Sequence, residues 1–170
     1  MDEVDELRGL LRKMEARPRT VLCVCGSRSL EGGHGEKWGR HKVEEVYRQT
    51  FDPHRDIVLT GGASGPDVWA RELLPWPGRL VEYLPSGVRL EWVAREYRDW
   101  GLRQGRWSDT AVHPLARNEA LCAGLVNSRN AGWKVGVICL IDPRSRTQGT
   151  RHMARLCREA KLAVLEWHFQ

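Results

Sequence analysis

The sequence of 170 residues contains no long apolar run. No segment approaches the ~18–20 consecutive apolar residues that a membrane-spanning helix needs. Its first six residues are mostly acidic, whereas a secretory signal peptide begins with basic residues and continues with apolar ones. We therefore expect neither a membrane protein nor a secreted one.

The spacing of the cysteines fits neither a disulfide framework nor a metal site. The five cysteines include no C-x-x-C pair and do not cluster with histidine. We therefore expect no metal and a reduced, cytoplasmic protein. Cys23 and Cys25 alternate with Val24 in an apolar run, so they are interpreted as small buried residues on one face of a strand.

The remaining composition is that of one globular domain. Hydrophobic residues make up 41% of the chain and charged residues 29%, which argues against disorder. The formal net charge of +5 is only mildly basic. Eight of the aromatic residues are tryptophan and only two are phenylalanine, and we interpret most of the tryptophans as packing residues.

Apolar strand patterns alternate with helical patterns along the chain. Strands are predicted at residues 20–25, 56–60, 80–84, 125–127, 134–141 and 162–167, and helices at residues 3–16, 39–50, 66–74, 88–107, 114–123 and 148–160. This order predicts the α/β class, with a single Rossmann-like, doubly wound, mainly parallel sheet and helices on both faces. Residues 1–19 are expected to form an N-terminal helix and a short connector, and residues 20–170 the Rossmann-like domain.

Three of the predicted strands end in polar loops that contain glycine. These loops are residues 26–29, 61–67 and 142–150. In a doubly wound sheet, ligands bind beyond the carboxyl ends of the strands, and glycine loops at helix N-termini favour an anion such as phosphate. The G-x-x-x-x-G-K-[ST] motif is absent and these loops do not read G-x-G-x-x-G, which argues against a P-loop NTPase and an ordinary dinucleotide-binding domain.

At these loops the sequence resembles the SLOG superfamily. The resemblance rests on V-C-G-S-R at residues 24–28, L-T-G-G-A-S-G-P-D at 59–67, R-N at 117–118 and T-Q-G-T at 147–150. The ordered set is most similar to the YspA-like (DUF2493) branch and covers roughly residues 20–167. The superfamily also includes the LOG cytokinin-activating phosphoribohydrolases, the Smf/DprA DNA-processing proteins and the molybdenum-cofactor carriers.

The resemblance implies that the protein binds a nucleotide-derived ligand, such as a nucleoside phosphate, ADP-ribose or an NAD-like molecule, and requires no other cofactor. The residues implied to contact this ligand are Gly26, Ser27, Arg28, Gly61, Gly62, Ala63, Ser64, Gly65, Asp67, Arg117, Asn118, Thr147, Gly149 and Thr150. Arg28 and Arg117 would bind phosphate, and the alternative for each is a surface ion pair. Asp67 would accept hydrogen bonds from ribose hydroxyls, and its alternative is a favourable charge at the start of a helix. The resemblance also implies a homodimer that forms through helices.

One residue departs from the pattern of the LOG enzymes. These enzymes resemble P-G-G-x-G-T-x-x-E, in which the glutamate supports cleavage of an N-glycosidic bond, and Met153 stands at the glutamate position here. Methionine can act neither as an acid nor as a base, so a phosphoribohydrolase-like N-glycosidase is the alternative rather than the preferred function. Asp67, Glu119 and His152 are the remaining acid–base candidates, and the catalytic residues of any reaction stay unknown.

A basic helix gives a further alternative. Residues 142–161 hold six basic and two acidic residues, and Arg151, Arg155 and Arg158 share one helical face. Binding of single-stranded DNA, as in DprA-like relatives, is therefore a third function, although the modest net charge does not favour it. Trp38 and Trp69 are the tryptophans expected nearest to the ligand.

Overall fold

Strands and helices alternate in the computed structural model, which describes residues 4–9, 19–84, 89–94, 114–146 and 148–170. The strands are β1 (Thr20–Gly26), β2 (Ile57–Thr60), β3 (Arg79–Tyr83), β4 (Arg89–Val93), β5 (Lys134–Ile141) and β6 (Ala163–His168). The helices are α1 (Gly33–Thr50), α2 (Pro66–Glu72), α3 (Pro114–Asn130) and α4 (Gly149–Glu159), with a short 3-10 turn at Arg28–Leu30. Residues 4–9 form a separate helical segment before the sheet.

The strands form one sheet in the order β4-β3-β2-β1-β5-β6. All neighbouring strands are parallel except β3 and β4, which are antiparallel. From β1 the chain builds outward through β2 to β4, and it then returns to add β5 and β6 on the opposite side of β1. The strand order therefore reverses between β1 and β5, and the carboxyl ends of these two strands border the crevice in which such sheets bind ligands.

Helices cover both faces of the sheet, as the alternation predicted. On one face α1 and α2 bury a core that includes Val43 and Trp69, and on the other α3 and α4 bury a core that includes Leu121 and Met153. The apolar run of β1 is buried from Val21 to Cys25, because the strand lies in the middle of the sheet and supplies side chains to both cores. The Rossmann-like, doubly wound fold class is confirmed.

Within the described residues, two of the predicted elements are wrong. A helix was predicted over residues 88–107, but residues 89–93 form β4, in which Trp92 pairs with Leu80 of β3 and donates its indole N–H to Glu82 at 2.9 Å. The strand predicted at residues 125–127 is part of α3, because Leu121 and Leu125 are one helical turn apart and both face the sheet. Residues 95–107 lie outside the described residues, as do residues 10–16 of the predicted first helix.

The first long helix begins earlier than its predicted start at residue 39. Gly32 adopts a φ of 82°, a conformation that glycine enters without strain, and α1 begins at the next residue.

Among the residues described, no helix combines the length and apolar character that crossing a membrane requires.

Candidate functional site

A cavity of about 390 Å³ opens at the carboxyl ends of β1 and β2, beside the N-terminus of α4. The residues that line it are Cys25, Gly26, Arg28, Gly61, Ala63, Asp67, Leu115, Arg117, Asn118, Leu121, Gln148, Gly149, Thr150 and Met153. All three predicted loops contribute to this wall, and they do so where the strand order reverses. The cavity therefore lies in the crevice expected for a doubly wound sheet.

The end of β1 is fixed by close packing against α2. A Cβ atom on Gly26 would overlap the ring of Pro66 and lie 2.7 Å from the carbonyl oxygen of Leu140. Ser27 is buried behind the loop, where its backbone N–H donates to Leu140 and its hydroxyl accepts from the backbone N–H of Asp142 at 3.1 Å. Gly26 thus lets β1 and α2 approach, and Ser27 holds the first loop against the loop after β5 without lining the cavity.

Asp142 extends this connection between the two loops. Its carboxylate accepts a hydrogen bond from the Ser29 hydroxyl at 2.9 Å and another from the backbone N–H of Arg144 at 3.0 Å. Burial acts to raise the pKa of Asp142, but the hydrogen bonds from Arg144 and Ser29 outweigh it and lower the pKa below its ordinary value. The carboxylate therefore remains ionised and keeps the loop after β5 in place.

The loop after β2 packs around two charged side chains. The Arg117 guanidinium donates to the carbonyl oxygen of Gly61, and a Cβ atom on Gly61 would lie 2.6 Å from Nη1 of Arg117. Gly62 has a φ of 68°, and a Cβ there would lie 2.6 Å from Oε1 of Glu82. These glycines are needed because Arg117 on one side and Glu82 on the other occupy the space of a side chain.

Glu82 is itself held by a buried ion pair. Its carboxylate accepts from Nη1 of Arg71 at 2.7 Å, and the exposed fractions of the two side chains are 1% and 3%. Gly65, the last residue before α2, donates its backbone N–H to Oε1 of Glu31 at 2.8 Å. Gly62 and Gly65 consequently support the loop from behind, and neither they nor Ser64 line the cavity.

Asp67 is a buried carboxyl group in the cavity wall. It is 4% exposed and accepts a hydrogen bond from the backbone N–H of Ala63 at 3.1 Å. Burial raises the pKa of Asp67 to about 6, although the positive charge of Arg117 and the hydrogen bond from Ala63 act to lower it. This carboxyl group therefore titrates near pH 6.

Asn118 joins the two helices that flank the cavity. Its amide donates to the carbonyl oxygen of Gly149 at 3.0 Å and lies 3.3 Å from Nδ1 of His152, while its carbonyl oxygen accepts from Nε of Arg117 at 3.3 Å. Asn118, which follows Arg117 directly in the sequence, therefore positions both the Arg117 side chain and the beginning of α4.

The first turn of α4 forms another part of the cavity wall. Gly149 and Thr150 line the cavity, and Gln148 precedes them without a side-chain hydrogen bond that caps the helix. A Cβ atom on Gly149 would meet no atom within 4 Å, so the backbone is accessible here. The first N–H groups of a helix carry partial positive charge, so this turn favours an anionic group in the cavity.

Part of the wall is apolar and was not predicted. Cys25, Leu115, Leu121 and Met153 line the cavity beside the predicted polar residues. Leu115 and Leu121 lie three residues before and after Asn118, on the same face of α3. That spacing was visible in the sequence and could have identified them once Asn118 was assigned to the site.

Several residues named in the sequence analysis are not among those that line the cavity. Thr147 lies outside the described residues, and Glu119 is exposed and does not line the cavity. The two tryptophans expected nearest to the ligand do not line the cavity: Trp69 is 2% exposed in the core on the α1–α2 face, and Trp38 packs against Phe169 with ring centroids 5.4 Å apart. Neither ring reaches the cavity, because both belong to the layer on the α1 side of the sheet.

The arginines of the basic helix do not line the cavity. Both Arg155 and Arg158 are exposed. Nε of Arg155 lies 3.9 Å from Oε1 of Glu159, and Nη1 of Arg158 lies 2.8 Å from Oε1 of Glu166. Their positive charge is thus partly balanced by neighbouring carboxylates.

Nothing in the described ranges resembles a metal centre, since no group of three His, Cys, Asp or Glu side chains there could hold an ion.

Comparisons with family models, with curated proteins and with solved structures found no match to this chain.

Proposed function

We propose that this protein binds a nucleotide-derived small ligand, of the nucleoside phosphate, ADP-ribose or NAD-like class, as a YspA-like member of the SLOG superfamily. The observation that carries the proposal is the meeting of Arg28, Arg117, Asp67 and the first turn of α4 in one cavity where the strand order reverses. The cavity volume of about 390 Å³ lies within the ~300–1,000 Å³ that is usual for small-molecule sites.

The chemistry of the wall matches the parts of such a ligand. Arg28 and Arg117, together with the N–H groups at the start of α4, provide charge-assisted hydrogen bonds for phosphate oxygens. The carboxyl group of Asp67 accepts hydrogen bonds from ribose hydroxyls when it is ionised. The apolar wall, which includes Leu121 and Met153, supplies a surface for a base.

Cleavage of an N-glycosidic bond is the second candidate function, and the position and pKa of Asp67 favour it. A carboxyl group with a pKa of about 6 in a cavity has the properties of a general acid or base. Met153, which replaces the glutamate of the LOG enzymes, is 1% exposed and cannot take that role. Of the two carboxylates considered as substitutes, Asp67 lies in the wall and Glu119 does not.

The glycosidase proposal is tested by measuring free base released from a panel of nucleoside monophosphates. Release that Asp67→Asn abolishes and Glu119→Gln leaves unchanged would support a reaction. If the folded protein binds a nucleotide but releases no base, cleavage of the N-glycosidic bond is ruled out as its function on these substrates, and the binding proposal stands.

Ligand binding is tested by melting-temperature shifts with AMP, ADP-ribose, NAD and a single-stranded oligonucleotide. A ligand at 100 times its Kd stabilises the folded state by about 2.7 kcal/mol, which such a measurement resolves. We expect a shift with at least one of the nucleotides, and we expect Arg28→Ala to reduce it. The matched control is Arg155→Ala, which removes an exposed arginine outside the cavity.

A shift with the oligonucleotide alone would contradict this proposal and favour a DprA-like role.

The homodimer and the cytoplasmic location stay predictions. Light scattering of the purified protein measures the first directly.

A further inference from the structure

Two cysteines meet on the central strands of the sheet. Sγ of Cys25 in β1 lies 3.3 Å from Sγ of Cys139 in β5, and the two residues are partners in the register of these parallel strands. Neighbouring strands are roughly 4.8 Å apart, and disulfides form when the Cα atoms are about 4.4–6.8 Å apart. Both side chains lie on the α3–α4 face of the sheet, so a bond between them requires only small rotations of the side chains.

The two thiols differ in their access to solvent. Cys25 lines the cavity and is 8% exposed, whereas Cys139 is 0% exposed and lies behind it. A small molecule that enters the cavity therefore reaches the sulfur of Cys25 first. This arrangement gives one thiol for attack and a second one for resolution.

We propose that Cys25 and Cys139 are a redox-active dithiol, which a hydroperoxide such as hydrogen peroxide oxidises to a disulfide at the floor of the cavity. In the first step the sulfur of Cys25 attacks one peroxide oxygen, the O–O bond breaks, and the leaving hydroxide takes the thiol proton to form water. The sulfur of Cys139 then attacks the sulfur of the Cys25 sulfenic acid and its S–O bond breaks. The S–S bond forms, and the leaving hydroxide takes the Cys139 thiol proton and departs as a second water. The dithiol loses two electrons, and the peroxide gains them.

The surroundings of Cys25 make this oxidation slow. The hydrogen bond with Cys139 acts to lower the pKa of Cys25, but the hydrogen bond with Cys23 and burial raise it well above its ordinary value. Little thiolate exists at neutral pH, so the pair reacts as a slowly oxidised site and not as a rapid peroxidase. Cys139 carries a raised pKa as well, because of its hydrogen bond with Cys25 and its burial.

The folded wild-type protein tests the proposal. After treatment with hydrogen peroxide, free thiols are alkylated and the protein is digested with trypsin without reduction. We expect residues 20–28, which contain Cys23 and Cys25, to be linked to residues 135–144, which contain Cys139, and we expect dithiothreitol to reverse the link. The Cys23→Ser variant should retain the linked peptide, whereas Cys139→Ala should lose it.

The cysteines of α3 and α4 provide an internal control, because Cys122 and Cys157 are also buried on this face but do not line the cavity. Failure to link residues 20–28 to 135–144 would overturn the proposal, as would a link between residues 118–129 and 156–158 in its place. These outcomes are read from wild-type protein, so they do not depend on whether a variant folds.

A second arm rests on the proposed function. A bound nucleotide would cover Cys25, so AMP or ADP-ribose should slow formation of the linked peptide if it also shifts the melting temperature. A linked peptide that forms at the same rate with either nucleotide supports the dithiol and counts against nucleotide binding in this cavity. A melting shift without a linked peptide supports nucleotide binding and overturns the dithiol.

Discussion

The side-chain amide of Asn118 donates a hydrogen bond to the carbonyl oxygen of Gly149 at 3.0 Å. This bond connects α3 with the first residue of α4 in the wall of the cavity. Asn118 is 5% exposed and also accepts a hydrogen bond from Arg117. The residue is therefore a structural part of the site as well as a member of its wall.

Asn118→Ala should lower the free energy of unfolding by about 1–3 kcal/mol, because it leaves a carbonyl oxygen of α4 without its buried donor. Asn127→Ala is the matched control, since it replaces an exposed asparagine of the same helix and should change stability by less than about 0.5 kcal/mol. Urea denaturation measures both. Equal effects of the two substitutions would show that the bond to Gly149 does not stabilise the fold.

Gly26→Ala should destabilise the protein by about 1–3 kcal/mol, since its methyl group would overlap Pro66 and approach the carbonyl oxygen of Leu140. Gly136→Ala, in the neighbouring strand, is the contrasting variant. There the nearest atom, Cδ1 of Leu22, is 4.0 Å from the new Cβ, so we expect stability to be unchanged or raised by up to about 1 kcal/mol. Thermal unfolding of the two variants checks this difference, and similar losses would contradict the steric explanation.

Asp67→Asn should remove a pH dependence of stability. Burial raises the pKa of Asp67 from 3.8 to about 6, so between these values the folded state holds a proton that the unfolded chain has released. The contribution of Asp67 is therefore fully present below about pH 4 and is lost as pH rises through 6, with a change of about 3 kcal/mol.

The measurement is urea denaturation of wild type and Asp67→Asn at several values between pH 4 and pH 7. The free energy of unfolding of the variant, relative to wild type, should rise across this range, because the variant has no carboxyl group to ionise in the buried site. A constant difference would mean that the pKa of Asp67 is not raised.

Gly149→Ala should separate ligand binding from stability. Its methyl group would meet no protein atom within 4 Å, and alanine favours a helix over glycine, so the free energy of unfolding should stay constant or rise by up to about 1 kcal/mol. If a phosphate lies against this backbone, the affinity for the nucleotide that shifts the melting temperature should fall about tenfold or more. Calorimetric titration of wild type and variant tests this, and unchanged affinity would remove the first turn of α4 from the binding surface.

Periodic features of the sequence predicted most of the fold. The apolar run of β1 and the glycine loops after the strands gave the parallel sheet and the position of the crevice. The prediction was wrong at residues 89–93, because β4 is an edge strand whose Trp92 is fixed by Glu82 on the neighbouring strand β3 and not by its own local pattern. It was also wrong at residues 125–127, where a short apolar stretch continues a helix.

The resemblance placed Arg117 near the glycines of the second loop, and the structure brings them together. The reason for the glycines was not visible, however, since the Arg117 side chain fills the space beside Gly61 from a position 56 residues further along the chain. The contact between Cys25 and Cys139 depends on the register of β1 with β5, which no local pattern specifies. Long-range packing of this kind decides which members of a motif face the ligand and which support it.

The two layers of side chains that cover the sheet carry different natural probes. Trp69 and Trp92 are buried in the core on the α1–α2 face, and Trp38 and Trp167 pack against the same core. All five cysteines are buried on the opposite face. Four of the six described tryptophans belong to the α1–α2 layer, whereas Trp133 packs against the cysteine layer and Trp76 is exposed. Tryptophan emission therefore reports more on the α1–α2 layer, and thiol labelling reports on the other. Coincident midpoints from the two probes would show that the layers unfold together, whereas earlier labelling of the cysteines would show that α3 and α4 open first.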